Sequence, residues 1–202
     1  SLTSAERERY RAEAKIFRAI VYFNMVRLWG DLPLITTEAG DITSETIEEV
    51  YPEYFPSQSP ELEIYQQIEK DLLEAIPYAL DNNPEDKTLF TKSVARTLLA
   101  KVYAEKPLRD YTKVVQYCDA VTADGFDLVT DFSDLFGMND DRTDAKKRNT
   151  KESILEAQFF PGSGNWCTWM LGRDLVNWDN NFAWAKWVTP SRDLIKAYQT
   201  EG

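Results

Sequence analysis

Five of the chain's six tryptophans fall in one stretch, Asn165 to Val188: Trp166, Trp169, Trp178, Trp184 and Trp187. Arg173, Asp174, Asn177, Asp179, Asn180 and Asn181 are interspersed among them. This mixture can hold a pyranose ring, whose C–H face rests on an aromatic plane while its hydroxyl rim seeks planar polar partners. Asn and Asp supply acceptors, and Arg supplies a rigid fork of donors. Trp also packs loops onto scaffolds, so about half of the five are expected to be mainly structural. Trp166, Trp178 and Asn180 are the preferred contacts because glycine and polar neighbours favour exposure there. Asn177 and Arg173 complete the expected ligand-binding set.

Other chemistries have less to stand on. The sequence has no His, which removes the usual general base near neutral pH, the Ser-His and Cys-His nucleophile systems and the commonest zinc ligand. Cys118 and Cys167 are too few for a zinc site and lack CxxC spacing. Cys118 lies on the apolar stripe of an expected helix and reads as a buried thiol, with a Cys118–Cys167 disulfide as the alternative in an exported protein. Asp140, Asp141 and Asp144 could attract calcium, but the run lacks an EF-hand's spacing and glycine, so a solvated acidic loop is expected. Carboxylate pairs such as Glu48-Glu49 abound on so acidic a chain, and sequence cannot place two of them across a glycosidic bond. No catalytic residue, metal or cofactor is expected.

The net charge is -11, with 23 Lys and Arg against 34 Asp and Glu. Such a surface repels phosphate backbones and anionic lipid. With 43% apolar and 13% aromatic residues, the 202-residue chain can bury a sizeable core. No stretch is apolar for long enough to span a bilayer, and no signal peptide is visible. Both ends read as cut ends, so residues reporting export are expected to lie outside this sequence.

These residues need a scaffold, and the sequence predicts a helical one. Ser4 to Trp29 reads as one long helix, capped by Thr3 or Ser4 and ended by Gly30. Ala12, Ile16, Ala19, Ile20, Phe23 and Val26 form one stripe. Phe17, Val21 and Leu28 form a second, which predicts contact on two sides. Glu13, Arg18 and Arg27 could form an ion-pair network within the scaffold. Leu32 to Ile35 reads as extended, and Thr36 to Ser59 as a long loop with one helical turn at Thr46 to Val50. A loop of that length is usually functional or mobile.

Ser59-Pro60-Glu61 predicts a capped helix start, Tyr65, Ile68, Leu72, Ala75, Ile76 and Ala79 its buried face, and Asn82-Asn83-Pro84 its close. Thr91 and Asp110 cap two further helices. Their stripes are Val94, Ala95, Leu98, Leu99, Val102 and Tyr103, then Tyr111, Val114, Val115, Cys118 and Val121. Together they resemble a tetratricopeptide unit, which needs neighbours to bury its faces. Beyond Gly125, Phe126, Leu128, Phe132, Leu135 and Phe136 read as an aromatic tether, Asn139 to Lys151 as a polar mobile segment, Ser153 to Phe159 as a short strand, and Pro190 to Tyr198 as a last helix. The expected organisation is one domain fragment, with a helical scaffold over residues 1–125 and a loop-rich, Trp-rich region over 126–202.

Several of these segments, in order, resemble the SusD/RagB family. They are Glu13-Ala14-Lys15-Ile16-Phe17-Arg18-Ala19 with Tyr22-Phe23, Val26-Arg27-Leu28-Trp29-Gly30-Asp31-Leu32-Pro33-Leu34, and Ile64-Tyr65 through Lys70-Asp71-Leu72. Thr91-Lys92 with Leu98-Leu99-Ala100-Lys101-Val102-Tyr103, Glu152-Ser153-Ile154-Leu155-Glu156, and Thr189-Pro190-Ser191 with Leu194 and Tyr198 continue the series. Lys106-Pro107-Leu108 departs from the family's small, glycine-rich turn. The lipidated cysteine of the family's mature start and much of its C-terminal part are not in this sequence.

The resemblance implies an all-α fold of tetratricopeptide-like hairpins in an α-α superhelix, with long loops and minor β structure. It implies an outer-membrane lipoprotein of the Bacteroidetes that captures oligosaccharides, or sometimes peptides, over a SusC-like TonB-dependent transporter. Such proteins bind without known catalysis. Membrane attachment would then run only through the N-terminal lipid, and no nucleic-acid partner is implied. The family's ligand residues vary, so the five residues above rest on local chemistry alone. The competing reading is a tetratricopeptide-type scaffold whose groove binds peptide or protein. A glycoside hydrolase is disfavoured by the resemblance.

Overall fold

The computed structural model describes residues 2–140, 144–158 and 191–201. Helix α1, Ser4–Trp29, starts on a reciprocal cap: the Glu6 amide donates to Thr3 Oγ1 at 3.2 Å, and the Thr3 amide donates to Glu6 Oε2 at 2.7 Å. The Thr3 amide and the Thr3 hydroxyl, both donating to Glu6 Oε2, hold the Glu6 carboxyl below its usual range. Gly30, at φ +71°, ends the helix in a conformation that side chains with a Cβ resist.

Strand β1, Leu32–Pro33, pairs antiparallel with β2, Gln58–Ser59. Between them the long loop carries a helical turn, α2, Ile47–Val50, which runs on into a 3-10 turn at Tyr51–Tyr54. Helix α3, Glu61–Ala75, follows at once. Ser59 does not cap it, because that residue is engaged in the β pair with Leu32. Asp31 takes the task, accepting the Glu61 amide at 2.8 Å. The helix also stops earlier than the Asn82-Asn83-Pro84 signal, since Pro77 has no amide to extend the ladder.

Helices α4, Lys92–Ala104, and α5, Tyr111–Ala123, form a hairpin. Thr91 accepts from the Val94 amide and Asp110 from the Lys113 amide, as their spacing predicts. Helix α1 packs on α3, α3 on α4, and α4 on α5. Ile16, Ile64, Ile68, Leu72, Leu99 and Val102 fill the shared core. Phe23 meets Tyr65 edge to face at 6.3 Å.

Two expected stripes are only partly covered among the described residues. Phe17, Val21 and Leu28 are exposed, though the Phe17 ring meets Phe90 at 5.8 Å; on α5, Tyr111, Val115 and Cys118 are exposed while Val121 is buried and Val114 packs against the core. Cys118 is therefore an open thiol rather than a buried one, and Cys167 lies outside the described residues. Glu13, Arg18 and Arg27 do not form one network either. Glu13 faces Arg9, Arg18 pairs with Asp71, and Arg27 pairs with Glu105.

After α5, Gly125 turns at φ +92°. Phe132, just before the single turn α6, Ser133–Phe136, and Phe136 at its end are exposed and meet each other at 5.0 Å instead of tethering the chain. Lys151 pairs with Asp127, and Lys146 with Asp131 and Asp134, so charge anchors the described part of the polar segment. Ser153 to Gln158 is not a strand; it runs beside the chain, with the Glu156 amide donating to the Lys87 carbonyl at 2.8 Å. The chain divides into two units, residues 1–158 and 159–202. In the second, helix α7, Arg192–Glu201, carries Leu194, Ile195 and Tyr198 as expected.

Candidate functional site

Trp166, Arg173, Asn177, Trp178 and Asn180 lie outside the described residues. Their neighbours at Phe159 and Pro190 do so too. The described surface of residues 1–158 includes three clefts of different chemistry.

The first, about 520 Å³, opens between α1, α4 and the 152–155 segment. Ile20, Phe23, Val94 and Leu98 line its apolar part, and Asn24, Arg27, Thr97 and Lys101 its polar part. Phe23 and Leu98 are core residues, as the helical stripes predict. The Arg27 guanidinium sits 5.2 Å over the Phe23 ring and reaches Glu105 at 3.2 Å. The cleft thus combines a greasy floor with cationic and amide groups projected from two helices.

The second, about 400 Å³, belongs to the long loop and is lined by Leu34 to Ala39, Glu53, Tyr54 and Pro56. Helix α1 fixes where this loop begins. The Tyr22 hydroxyl accepts the Ile35 amide at 2.7 Å, and Arg18 donates to the Thr36 carbonyl at 3.1 Å. Arg18 can do so because Asp71 already holds it by two bonds, at 2.8 and 2.7 Å. The loop then closes on itself. Tyr54 Oη donates to the Gly40 carbonyl at 3.0 Å, and the Gly40 amide donates to Glu53 Oε2 at 3.0 Å. A side chain at Gly40 would press its Cβ to 3.0 Å from Val50 Cγ2, so the missing side chain lets the loop close. Outside this closure stand Tyr51 and Phe55, with ring centroids 4.9 Å apart.

The third, about 570 Å³, is lined by Val129 to Asp131, Asp134 and Lys147 to Lys151. Its charges answer one another. Lys147 reaches Asp134 at 2.5 Å and Arg148 pairs with Asp144, and these lysine and arginine bonds hold both carboxyls low. A general acid requires the opposite shift. The other displaced carboxyls, Glu6, Glu74, Asp81, Asp86, Asp127 and Asp131, also move down. Among the described residues, no three acidic or Cys side chains are grouped to hold a metal ion.

Tyr51, Tyr54 and Phe55 do not stand out in the sequence as site residues. A signal is there: three aromatics in five residues, with Pro52 among them and Pro56 just after, within a long loop. The two prolines read only as breakers.

A family model described as starch-binding, associating with the outer membrane (SusD-like), matches residues 1–104. The chain belongs to the SusD-like family. A SusD-like protein of Bacteroides ovatus is 31% identical over 178 residues, which cover 82% of this chain and 29% of that protein. A solved laminarin-binding SusD-like protein is 27% identical with a TM-score of 0.54, over 67% of this chain and 29% of its own. A crystal structure with a xylogluco-oligosaccharide is 28% identical with a TM-score of 0.59, over 82% of this chain and 32% of its own. These superpositions support the tetratricopeptide-like helical fold. This SusD-like chain spans less than a third of the length of each of the three. No helix among its described residues is long and apolar enough to cross a membrane.

Proposed function

We propose that the chain is part of a surface protein that binds oligosaccharide without cleaving it and passes it to a SusC-like TonB-dependent transporter. The observation that carries this is membership of the SusD-like family, with solved relatives that bind laminarin or hold a xylogluco-oligosaccharide. The family description associates its members with the outer membrane, and an N-terminal lipid upstream of this sequence would attach the protein there. In this reading Trp166 and Trp178 stack on sugar rings, and Asn180, Asn177 and Arg173 bind hydroxyls.

A second reading rests on the first cleft. Asn24, Arg27 and Lys101 project from two helices over an apolar floor, which is how a tetratricopeptide groove would read a peptide. Affinity electrophoresis through gels containing laminarin, xyloglucan or starch, run beside a peptide array, separates the two. Retardation by a glycan with an unlabelled array supports capture of sugars. Migration unaffected by every glycan, with saturable peptide binding, would reverse the assignment.

A further inference from the structure

Between Arg27 and Lys70 the sequence has no Lys or Arg. The long loop inside this interval holds six carboxylates: Glu38, Asp41, Glu45, Glu48, Glu49 and Glu53. Among the described residues none of the six joins an ion pair. The same loop leaves Tyr51, Tyr54 and Phe55 at 53%, 48% and 66% exposure. Three rings facing water in one short segment forgo burial that neighbouring residues of the chain do not offer.

The backbone that carries them is braced. Beside the Tyr54–Gly40–Glu53 closure, Thr46 Oγ1 donates to the Asp41 carbonyl at 2.8 Å and accepts the Thr43 amide at 3.1 Å. The β1–β2 pair ties the two ends of the loop together. Rings presented on a braced loop lose less freedom when a ligand arrives. The adjoining cleft of about 400 Å³ falls within the range for small ligands. A docked protein would need a far broader surface, of about 800 Å² on each partner.

We propose that this loop is a second carbohydrate-contact surface, centred on Tyr51, Tyr54 and Phe55, that takes neutral oligosaccharides and rejects glycans carrying sulfate or uronate. The proposal rests on the glycan-binding reading and adds a place and a charge rule to it. Tyr51 and Phe55 supply the tilted faces for sugar C–H groups. Carboxylates accept hydroxyl protons in charge-assisted bonds. An anionic glycan would meet six uncompensated charges with no cation between residues 27 and 70 to receive it.

The test is calorimetry on the whole chain with laminari- and xylogluco-oligosaccharides as neutral probes and oligogalacturonate as the anionic one. The double variant Tyr51→Ala/Phe55→Ala should keep its thermal midpoint and bind the neutral probe about tenfold more weakly, the size expected for a lost stacking contact. The charge-reversal pair Glu48→Lys/Glu49→Lys leaves the rings in place and should admit oligogalacturonate, which the unaltered chain refuses. It keeps the proposal testable if the aromatic variant fails to fold. Unchanged neutral-glycan affinity in a folded aromatic variant would overturn the proposal while leaving glycan capture intact. So would an aromatic variant that loses only its attachment to a basic protein segment. Equal affinity of the unaltered chain for oligogalacturonate would remove the charge rule. Absence of binding to any glycan would instead bring down the functional reading on which the proposal stands.

Discussion

Arg18 connects the core to the loop. Its guanidinium holds Asp71, which is 1% exposed, by two bonds, and Gln67 adds a third donor to the same carboxylate at 2.9 Å. The bonds to Asp71 raise the Arg18 pKa above its already high ordinary value, so the guanidinium stays charged at any physiological pH. Arg18→Ala would strand a buried carboxylate and should destabilise the fold by about 3 kcal/mol in urea unfolding. Arg18→Met combined with Asp71→Leu should recover most of that loss; a double variant as unstable as the single one would mean the geometry matters more than the charge. A second residue-scale effect appears in alkali. Burial pushes the Tyr65 hydroxyl from its ordinary 10.0 up to about 12. The folded chain therefore keeps a proton that the unfolded chain releases. Stability is unaffected below pH 10 and declines as pH rises from 10 towards 12. Thermal midpoints across that range should fall less steeply for Tyr65→Phe, and parallel curves would assign the alkaline loss to other groups.

At the scale of elements, the start of α3 sets local sequence against tertiary structure. Asp31→Ala should cost about 1 kcal/mol and Ser59→Ala only a few tenths, because Asp31 supplies the cap. Chemical denaturation of both variants decides it, and the reverse order would restore the local cap. The caps at Thr3, Thr91 and Asp110 were legible because each is a bond within four residues, where spacing alone dictates the partner. The Asp31 cap spans 30 residues and carries no such mark. Helix stripes were legible on their core sides for the same reason. Their second faces were not, because periodicity reports an apolar side without saying what covers it. Phe17, at 56% exposure, illustrates this. Leu28→Ala on that face should change stability by no more than about 0.5 kcal/mol, whereas Ile16→Ala should cost about 2–5 kcal/mol. Comparable losses in urea melts would show that α1 is covered on both sides in solution.

For the molecule as a whole, four helices build a tetratricopeptide-like scaffold, and segments between and after them carry the expected recognition chemistry. The scaffold and the family were legible because both reside in ordered helical segments, above all Glu13 to Leu34. The loop at Tyr51 to Phe55 was not, because its bracing depends on bonds such as Tyr54 to Gly40 that no helical or strand period encodes. The expected contacts Trp166, Trp178, Asn180, Asn177 and Arg173 rest on composition and remain a proposal. The most direct measurement of oligosaccharide capture is calorimetric titration of the whole chain with a neutral glycan, repeated on Trp166→Ala and Trp178→Ala with thermal midpoints recorded alongside. Saturable binding by the unaltered chain, weakened by about 1–3 kcal/mol in each variant at an unchanged midpoint, is the predicted result. No saturable glycan binding by the unaltered chain, together with tight binding of a peptide, would contradict it.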